Sequence, residues 1–223
     1  MTRRKRIIPW IIAMALLMET LDVTILSTAI PAMAESFSVH PLDLKLALTS
    51  YALSLAIFIP ISGWIADKLG TRTTFLFAIN LFILSSIGCG MASSLSTLVM
   101  GRIFQGIGGS MMMPTGRLIM LHNFDKKEFV KATSFMTTPA LLGPMLGPFF
   151  GGWITTYSSW PWIFYINVPI GLLGLISSAI FITNVKKEDC PPFDLLGFIL
   201  FSTSAAFLFS FIEIIDLPFT SLR

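Results

Sequence analysis

Apolar residues run along this chain in long charge-free blocks broken by short polar punctuation. Leu46 to Ala66 and Thr73 to Gly101 hold no Asp, Glu, Lys or Arg, and between them sits one compact charged turn, Asp67 to Arg72. Ala132 to Val185 is uncharged over 54 residues, too long for one bilayer crossing and right for two joined by a tight turn at Thr155 to Trp162. A hydrocarbon core about 30 Å thick needs roughly 20 apolar residues per helix. The pattern resolves into seven segments, near Ile7 to Pro31, Leu46 to Ala66, Thr73 to Ala92, Leu95 to Leu121, Val130 to Ile154, Trp162 to Asn184 and Leu195 to Asp216. None shows the period-two alternation of a barrel strand, and a lipid-facing backbone must satisfy its own hydrogen bonds, so all are predicted to be helices. The expected fold class is an all-α polytopic membrane protein.

Composition agrees with the pattern. With 54% hydrophobic and 12% charged residues and a mean hydropathy of +0.81, a chain of 223 residues has too little polar surface to clothe a soluble domain. The opening MTRRKR, the apolar stretch behind it and Ala32-Met-Ala34 imitate a cleavable signal peptide, but the segment is too long, carries Glu19 and Asp22, and precedes six more spans.

Charge sets the orientation. With the N-terminus inside, Arg3, Arg4, Lys5, Arg6, Lys68, Arg72, Lys126, Lys127, Lys131, Lys186 and Lys187 are cytoplasmic, 11 of the 15 basic residues, while the outer loops hold only Lys45 and the terminal Arg223. The positive-inside rule therefore places the N-terminus in the cytoplasm, and the net charge of +3 calls for no nucleic-acid partner. Cys89 and Cys190 fall on opposite sides, too far apart to bridge, and neither implies a metal. No cofactor is expected. No cluster offers a nucleophile with its base, so enzyme activity is not expected either.

Glu19, Asp22 and Arg102 are the charges that lie well away from the ends of their spans. Counting about 1.5 Å per residue, Arg102 lies about 10 Å down from the outer side and Asp22 about 22 Å up from the inner side of a core about 30 Å thick, which puts the two at one level. Arg102 then either meets a partner or cavity, or snorkels outward. Glu19 and Asp22, three residues apart, project from nearly one helix face, where two carboxylates cannot both ionise cheaply, so one holds its proton. A proton carrier needs that property, with Arg102 near to release the proton; Asp22 ranks ahead of Glu19. The remaining positions carry less: His40 and His122 are loop residues, Arg117 snorkels at the inner surface, and Met111 to Met113 read as lipid or core packing ahead of a drug pocket.

Small residues form a second pattern. Gly143, Gly147 and Gly151 recur every four residues and make one smooth helix face for close packing, while Pro144 and Pro148 each remove a backbone donor beside it. Packing alone, and packing plus a bend that serves gating, both remain open. At the charged turn, Gly70 permits a sharp reversal with positive φ, and Lys68 and Arg72 anchor the two helix ends. Asp67 sits at the unfavourable end of its helix dipole, so it is expected to pair with Arg72 or with the start of another helix.

These residues also carry a resemblance. Gly63-Trp-Ile-Ala-Asp67-Lys68-Leu-Gly70-Thr-Arg72 resembles the loop signature of the major facilitator superfamily, with Thr71 where that family usually has a base. Leu21-Asp22-Val-Thr24-Ile-Leu-Ser-Thr-Ala29-Ile-Pro31, Arg102-Ile-Phe-Gln105-Gly106-Ile-Gly108-Gly109, Gly143-Pro-Met-Leu-Gly147-Pro148-Phe-Phe-Gly151-Gly152 and Trp160-Pro-Trp162-Ile-Phe164-Tyr-Ile166-Asn167-Val-Pro169-Ile-Gly171 resemble the first-, fourth-, fifth- and sixth-helix patterns of its fourteen-helix drug/proton antiporter branch. The resemblance implies a six-helix half-bundle over 1–184, built as two inverted three-helix repeats, then a cytoplasmic linker over 185–193, a seventh helix over 194–217 and an external tail over 218–223. It implies that Asp22 and Arg102 couple protons, that Gly63, Asp67, Lys68, Gly70 and Arg72 form a cytoplasmic latch, and that Gln105, Gly106, Gly109, Gly143, Gly147, Pro148, Gly151 and Gly152 serve helix packing and gating.

The implied function is secondary transport in a bacterial inner membrane: multidrug efflux by exchange of protons for small amphipathic substrates. Transporters of this family have two halves, and the chain is expected to be a truncated N-terminal half. Such a half would be completed by a second one or by self-association, or it would be a non-transporting remnant that packs against other helices.

Overall fold

The structure, a computed structural model, describes residues 3–220. The expected external end at Arg223 lies outside the described residues, as do the side chains of Arg3 and Arg4. The order of elements is α1 (Arg3–Phe37), a 3-10 turn (Pro41–Leu44), α2 (Lys45–Leu69), α3 (Thr71–Gly90), α4 (Leu95–Asn123), α5 (Lys126–Tyr157), α6 (Trp162–Tyr165), α7 (Asn167–Phe181) and α8 (Leu195–Thr220). All seven predicted segments are helical, and no strand occurs among the described residues.

Helix ends depart from the hydropathy blocks where polar residues extend a helix past the apolar run. α1 reaches 35 residues and α5 reaches 32, since Arg and Lys at one end and Thr, Ser or Glu at the other continue a helix without being apolar. Four stretches are long and apolar enough to cross a membrane on composition: Lys5–Phe37, Pro41–Leu69, Thr71–Gly90 and Trp162–Phe181. α4 and α5 have the length, but Gly, Pro, Ser, Thr and, on α4, buried Arg102 and Gln105 dilute them.

The sixth segment differs most from expectation. It is broken at Ile166 and stops at Phe181 instead of Asn184. Pro169 has no N–H to give the Tyr165 carbonyl four residues back, which interrupts the ladder at that point. Beyond Phe181, Ile182 turns to an extended conformation (ψ 129°), and the chain runs without helix to Leu195.

Packing pairs distant segments. α1 lies chiefly against α5, α2 and α3 both against α4, α7 against α1 and α3, and α8 against α2. Two apolar cores result. One gathers Ile8, Ile12, Met18, Phe75, Phe82, Met112 and Ile119; the other gathers Leu21, Ile25, Ala29, Leu44, Leu98, Ile154 and Ile163. Between them the helices enclose a small group of polar side chains.

Candidate charge centre and cytoplasmic loop

Arg102 is fully buried and does not reach the surface. Its Nη1 donates to Asp22 Oδ2 at 2.5 Å and to Gln105 Oε1 at 2.7 Å, and Nε donates to the Ala47 carbonyl at 3.4 Å. The guanidinium also lies 4.1 Å from the centroid of the Tyr51 ring. Such a charge inside a bundle is tolerable only when paired and hydrogen-bonded. Asp22, 1% exposed, is equally well held: its Oδ1 accepts from Gln105 Nε2 and from Asn167 Nδ2, both at 2.8 Å. Those two amides also donate to Ser86 Oγ, each at 3.0 Å. One cluster thus joins α1, α3, α4 and α7, with Ala47 and Tyr51 adding α2. Ser86 was not singled out from the sequence, and Asn167 only as part of the sixth-helix pattern, without a role. Their signal was available, since both are polar residues within apolar spans and Asn167 stands beside the proline that breaks its helix.

Glu19 does not share this cluster. It borders a cavity of about 500 Å³ between α1, α2 and α4, lined among others by Leu55, Pro60, Gly109, Met113 and Arg117. Its Oε2 is buried without a hydrogen-bond partner among the described residues, as are Tyr51 Oη and Arg102 Nη2. Arg117 is exposed on the rim of that cavity.

The glycines divide sharply. A Cβ at Gly106 would stand 2.6 Å from Ser54 Cβ and 2.7 Å from the Tyr51 carbonyl, and one at Gly109 would stand 3.1 Å from Tyr51 Oη, so α4 meets α2 at van der Waals range. On α5, Gly143, Gly147 and Gly151 face Thr20, Thr24 and Thr28, whose hydroxyls would collide with any added Cβ. Two of those threonines cross the interface, Thr20 donating to the Ala140 carbonyl at 3.0 Å and Thr24 to the Gly143 carbonyl at 3.2 Å. This threonine ladder on α1 repeats every four residues, in step with the glycines, and sequence reading passed over it. Gly152 stands apart from these: a Cβ there meets nothing within 4 Å among the described residues. Pro148 is exposed, and α5 runs as one helix through Pro139, Pro144 and Pro148.

The loop between α2 and α3 is tied to the strand of chain after α7. Gly70 takes φ +99°. Val185 O accepts from Thr71 N at 3.0 Å, and Asp67 O accepts from Lys187 N at 3.0 Å. Asn184 Oδ1 caps the open start of α3, accepting from Arg72 N at 3.1 Å and Thr73 N at 3.3 Å. Asp67 does not pair with Arg72, as expected from the sequence, nor with a helix start. Its carboxylate faces Lys187 Nζ at 3.7 Å, while Arg72 Nη2 is drawn to the end of α7, donating to the Ala179 carbonyl at 2.5 Å. The helix C-terminus, with its unpaired carbonyls, attracts the guanidinium. Lys68 lies 4.5 Å from the centroid of the Trp64 ring, and Trp64 Nε1 donates to the Pro191 carbonyl at 2.9 Å. Gly63 has open space where a Cβ would go, so nothing sterically requires glycine there.

Cys89 and Cys190 are free thiols. No group of three or more His, Cys, Asp or Glu that could hold a metal occurs among the described residues.

The chain matches the Major Facilitator Superfamily over residues 12–220. It is 43% identical over 199 residues to the putative multidrug resistance protein MdtD of Enterobacter sp. (strain 638), covering 89% of this chain and 42% of that protein. It is 44% identical over 193 residues to the probable transport protein HsrA of Haemophilus influenzae, covering 86% of this chain and 42% of that protein. The chain therefore spans less than half the length of these curated relatives. Among solved structures, the fold resembles a peptide transporter POT in complex with sulfate (TM-score 0.71, 14% identity, 94% of this chain and 46% of that one). It also resembles the proton:xylose symporter XylE (TM-score 0.69, 16% identity, 78% of this chain and 44% of that one). Family, apolar helices and helical packing agree, and the chain is a membrane protein that belongs to the Major Facilitator Superfamily.

Proposed function

We propose that this chain is the N-terminal half-bundle of a proton-coupled antiporter of the fourteen-helix drug/proton branch. It would export small amphipathic compounds across a bacterial inner membrane, with its N-terminus in the cytoplasm. The observation that carries the reading is the buried Asp22–Arg102 pair, 2.5 Å apart with 1% and 0% side-chain exposure. An intramembrane ion pair is costly to build and marks a functional site by default. The names of the curated relatives support the transport reading, multidrug resistance for one and transport for the other.

The packing supports two inverted repeats. Exchanging the first three helices for the next three turns the α1–α5 contact into the α4–α2 contact, and the α3–α4 contact into the α7–α1 contact, and all four are present. Asp22 and Arg102 then occupy matching helices of the two repeats. Protonation of Asp22 removes the charge that holds Arg102, so the guanidinium, already over the Tyr51 ring, is free to reorient and α1 is released from α4. Glu19, on the cavity side with an unpartnered oxygen, is the carboxylate that a cationic substrate or an entering proton meets first. The loop residues Asp67, Lys68, Gly70 and Arg72 keep the latch role, through residues 184–187 and Ala179 within this half. Residues 185–193 would be the cytoplasmic linker and 194–217 the seventh helix. The second half is supplied by further chain, by another protein or by a second copy.

The test uses everted membrane vesicles that hold the intact transporter containing this half-bundle. Asp22→Asn is expected to abolish gradient-driven movement of a lipophilic cation while the protein still inserts. Undiminished movement would overturn the coupling role, and no movement by the unaltered protein would favour a helix-packing partner without transport.

A further inference from the structure

Away from the charge centre, the N-terminal ends of α1 and α5 enclose a separate cleft of about 330 Å³, lined by Lys5, Arg6, Pro9, Trp10, Lys131 and Phe135. We propose that this cleft binds the headgroup of an anionic phospholipid. Three features of the cleft lead there.

The first is charge. Lys5 is committed to Glu128, with Nζ to Oε2 at 3.2 Å, and lies 5.9 Å from the Phe124 ring. Arg6 and Lys131 are exposed and have no acidic partner among the described residues. The other acid of this end, Asp125, is the residue before the first turn of α5. Two cations from two helices thus border one cleft uncompensated, and the first turns of α1 and α5 add the positive ends of two helix dipoles.

The second is depth. α1 has 35 residues where about 20 cross the hydrocarbon core, so its first turns stand in the headgroup layer. Basic clefts between helices at that level hold anionic headgroups, and aromatic rings settle at the same boundary.

The third is the apolar wall. Trp10 and Phe135, 53% and 46% exposed, pack with ring centroids 6.2 Å apart directly beside the cations. A free phosphate would use the cations and leave these rings idle. A phospholipid uses both, its phosphodiester on Arg6 and Lys131, and its glycerol and first methylenes along Trp10 and Phe135. The cleft shares α1 with the Glu19 cavity but is walled by α5 where that cavity has α2 and α4, the two have no lining residue in common, and the proposal is independent of whether the chain transports.

Trp10 is itself the reporter. The purified chain is placed in vesicles carrying brominated phosphatidylglycerol or brominated phosphatidylcholine at equal mole fraction. The Trp10 share of quenching is taken as the difference between the protein and Trp10→Phe. The expected result is stronger Trp10 quenching by the anionic lipid. The preference should fall about fivefold for each cation neutralised, in Arg6→Gln and Lys131→Gln, and survive in Arg6→Lys and Lys131→Arg, which keep charge and fold. Equal quenching by both lipids, or a preference untouched by the glutamine variants, overturns the site. Loss of the preference on adding glycerol phosphate or inorganic phosphate would assign the cleft to a soluble anion and overturn the lipid.

Discussion

Thr24 of α1 stands so close over Gly147 of α5 that a methyl carbon built on the glycine would run into its hydroxyl and come within 3.1 Å of the Ile25 amide nitrogen. The same register repeats one turn to either side, at Thr20 with Gly143 and Thr28 with Gly151. The helices are thus locked by shape and by threonine-to-carbonyl hydrogen bonds, with no large side chain between them.

Gly147→Leu should therefore separate α1 from α5 and cost about 1–3 kcal/mol, the usual penalty of overpacking. Melting of the purified protein in detergent measures it. Gly152→Leu, on the open side of the same helix, is the matched control and should leave the melting temperature unchanged.

Removing one member of the charge centre is expected to be worse than removing both. Arg102→Met leaves Asp22 buried and uncompensated, which costs about 3–5 kcal/mol in comparable buried pairs, whereas the double variant Asp22→Asn with Arg102→Met should recover much of that loss. A double-mutant cycle on thermal stability checks the prediction; additive losses would show that the two side chains are not energetically coupled.

Gly70 is constrained twice, by its positive φ and by Asn184, whose side chain occupies the space a Cβ would take. Gly70→Ala should be destabilising on both counts. Adding Asn184→Ala relieves only the collision, leaving about 1–3 kcal/mol of backbone strain together with the loss of the α3 cap. Stability of the two variants side by side separates the contributions.

The native thiols report topology. Cys89 is buried in the bundle, while Cys190 is partly exposed in the segment between α7 and α8. A membrane-impermeant maleimide should label Cys190 in everted vesicles, label nothing in intact right-side-out cells, and lose all labelling in Cys190→Ser. Labelling from the outside would invert the assigned orientation.

The spans were legible because charge-free length is a strong signal in a chain that crosses a bilayer, and Asp22 and Arg102 because an ionised group inside such a span has few places to go. The Thr20, Thr24 and Thr28 ladder was not, since threonine is common in apolar helices and its partner face lies more than a hundred residues away in the chain. The tie of Asp67 to Lys187 was hidden for another reason. Nothing local in residues 182–187 announces that they leave the helix and run under the α2–α3 turn, where Asn184 finds the open amides of α3. Gly152 shows the reverse case, a small residue of the same pattern that faces no neighbour among the described residues.

The pairing of α1 with α5 and α4 also sets conditions on how the chain is made. α1 enters the membrane before α4 and α5, bearing Asp22 and Glu19, so the guanidinium that neutralises Asp22 and the glycine face that receives Thr20, Thr24 and Thr28 are synthesised only later. An acidic residue at the centre of a lone helix costs about 2.5–3.5 kcal/mol on insertion. During synthesis, then, the nascent α1 is apolar enough to span but carries an uncompensated acid, and that cost is relieved only when Arg102 arrives.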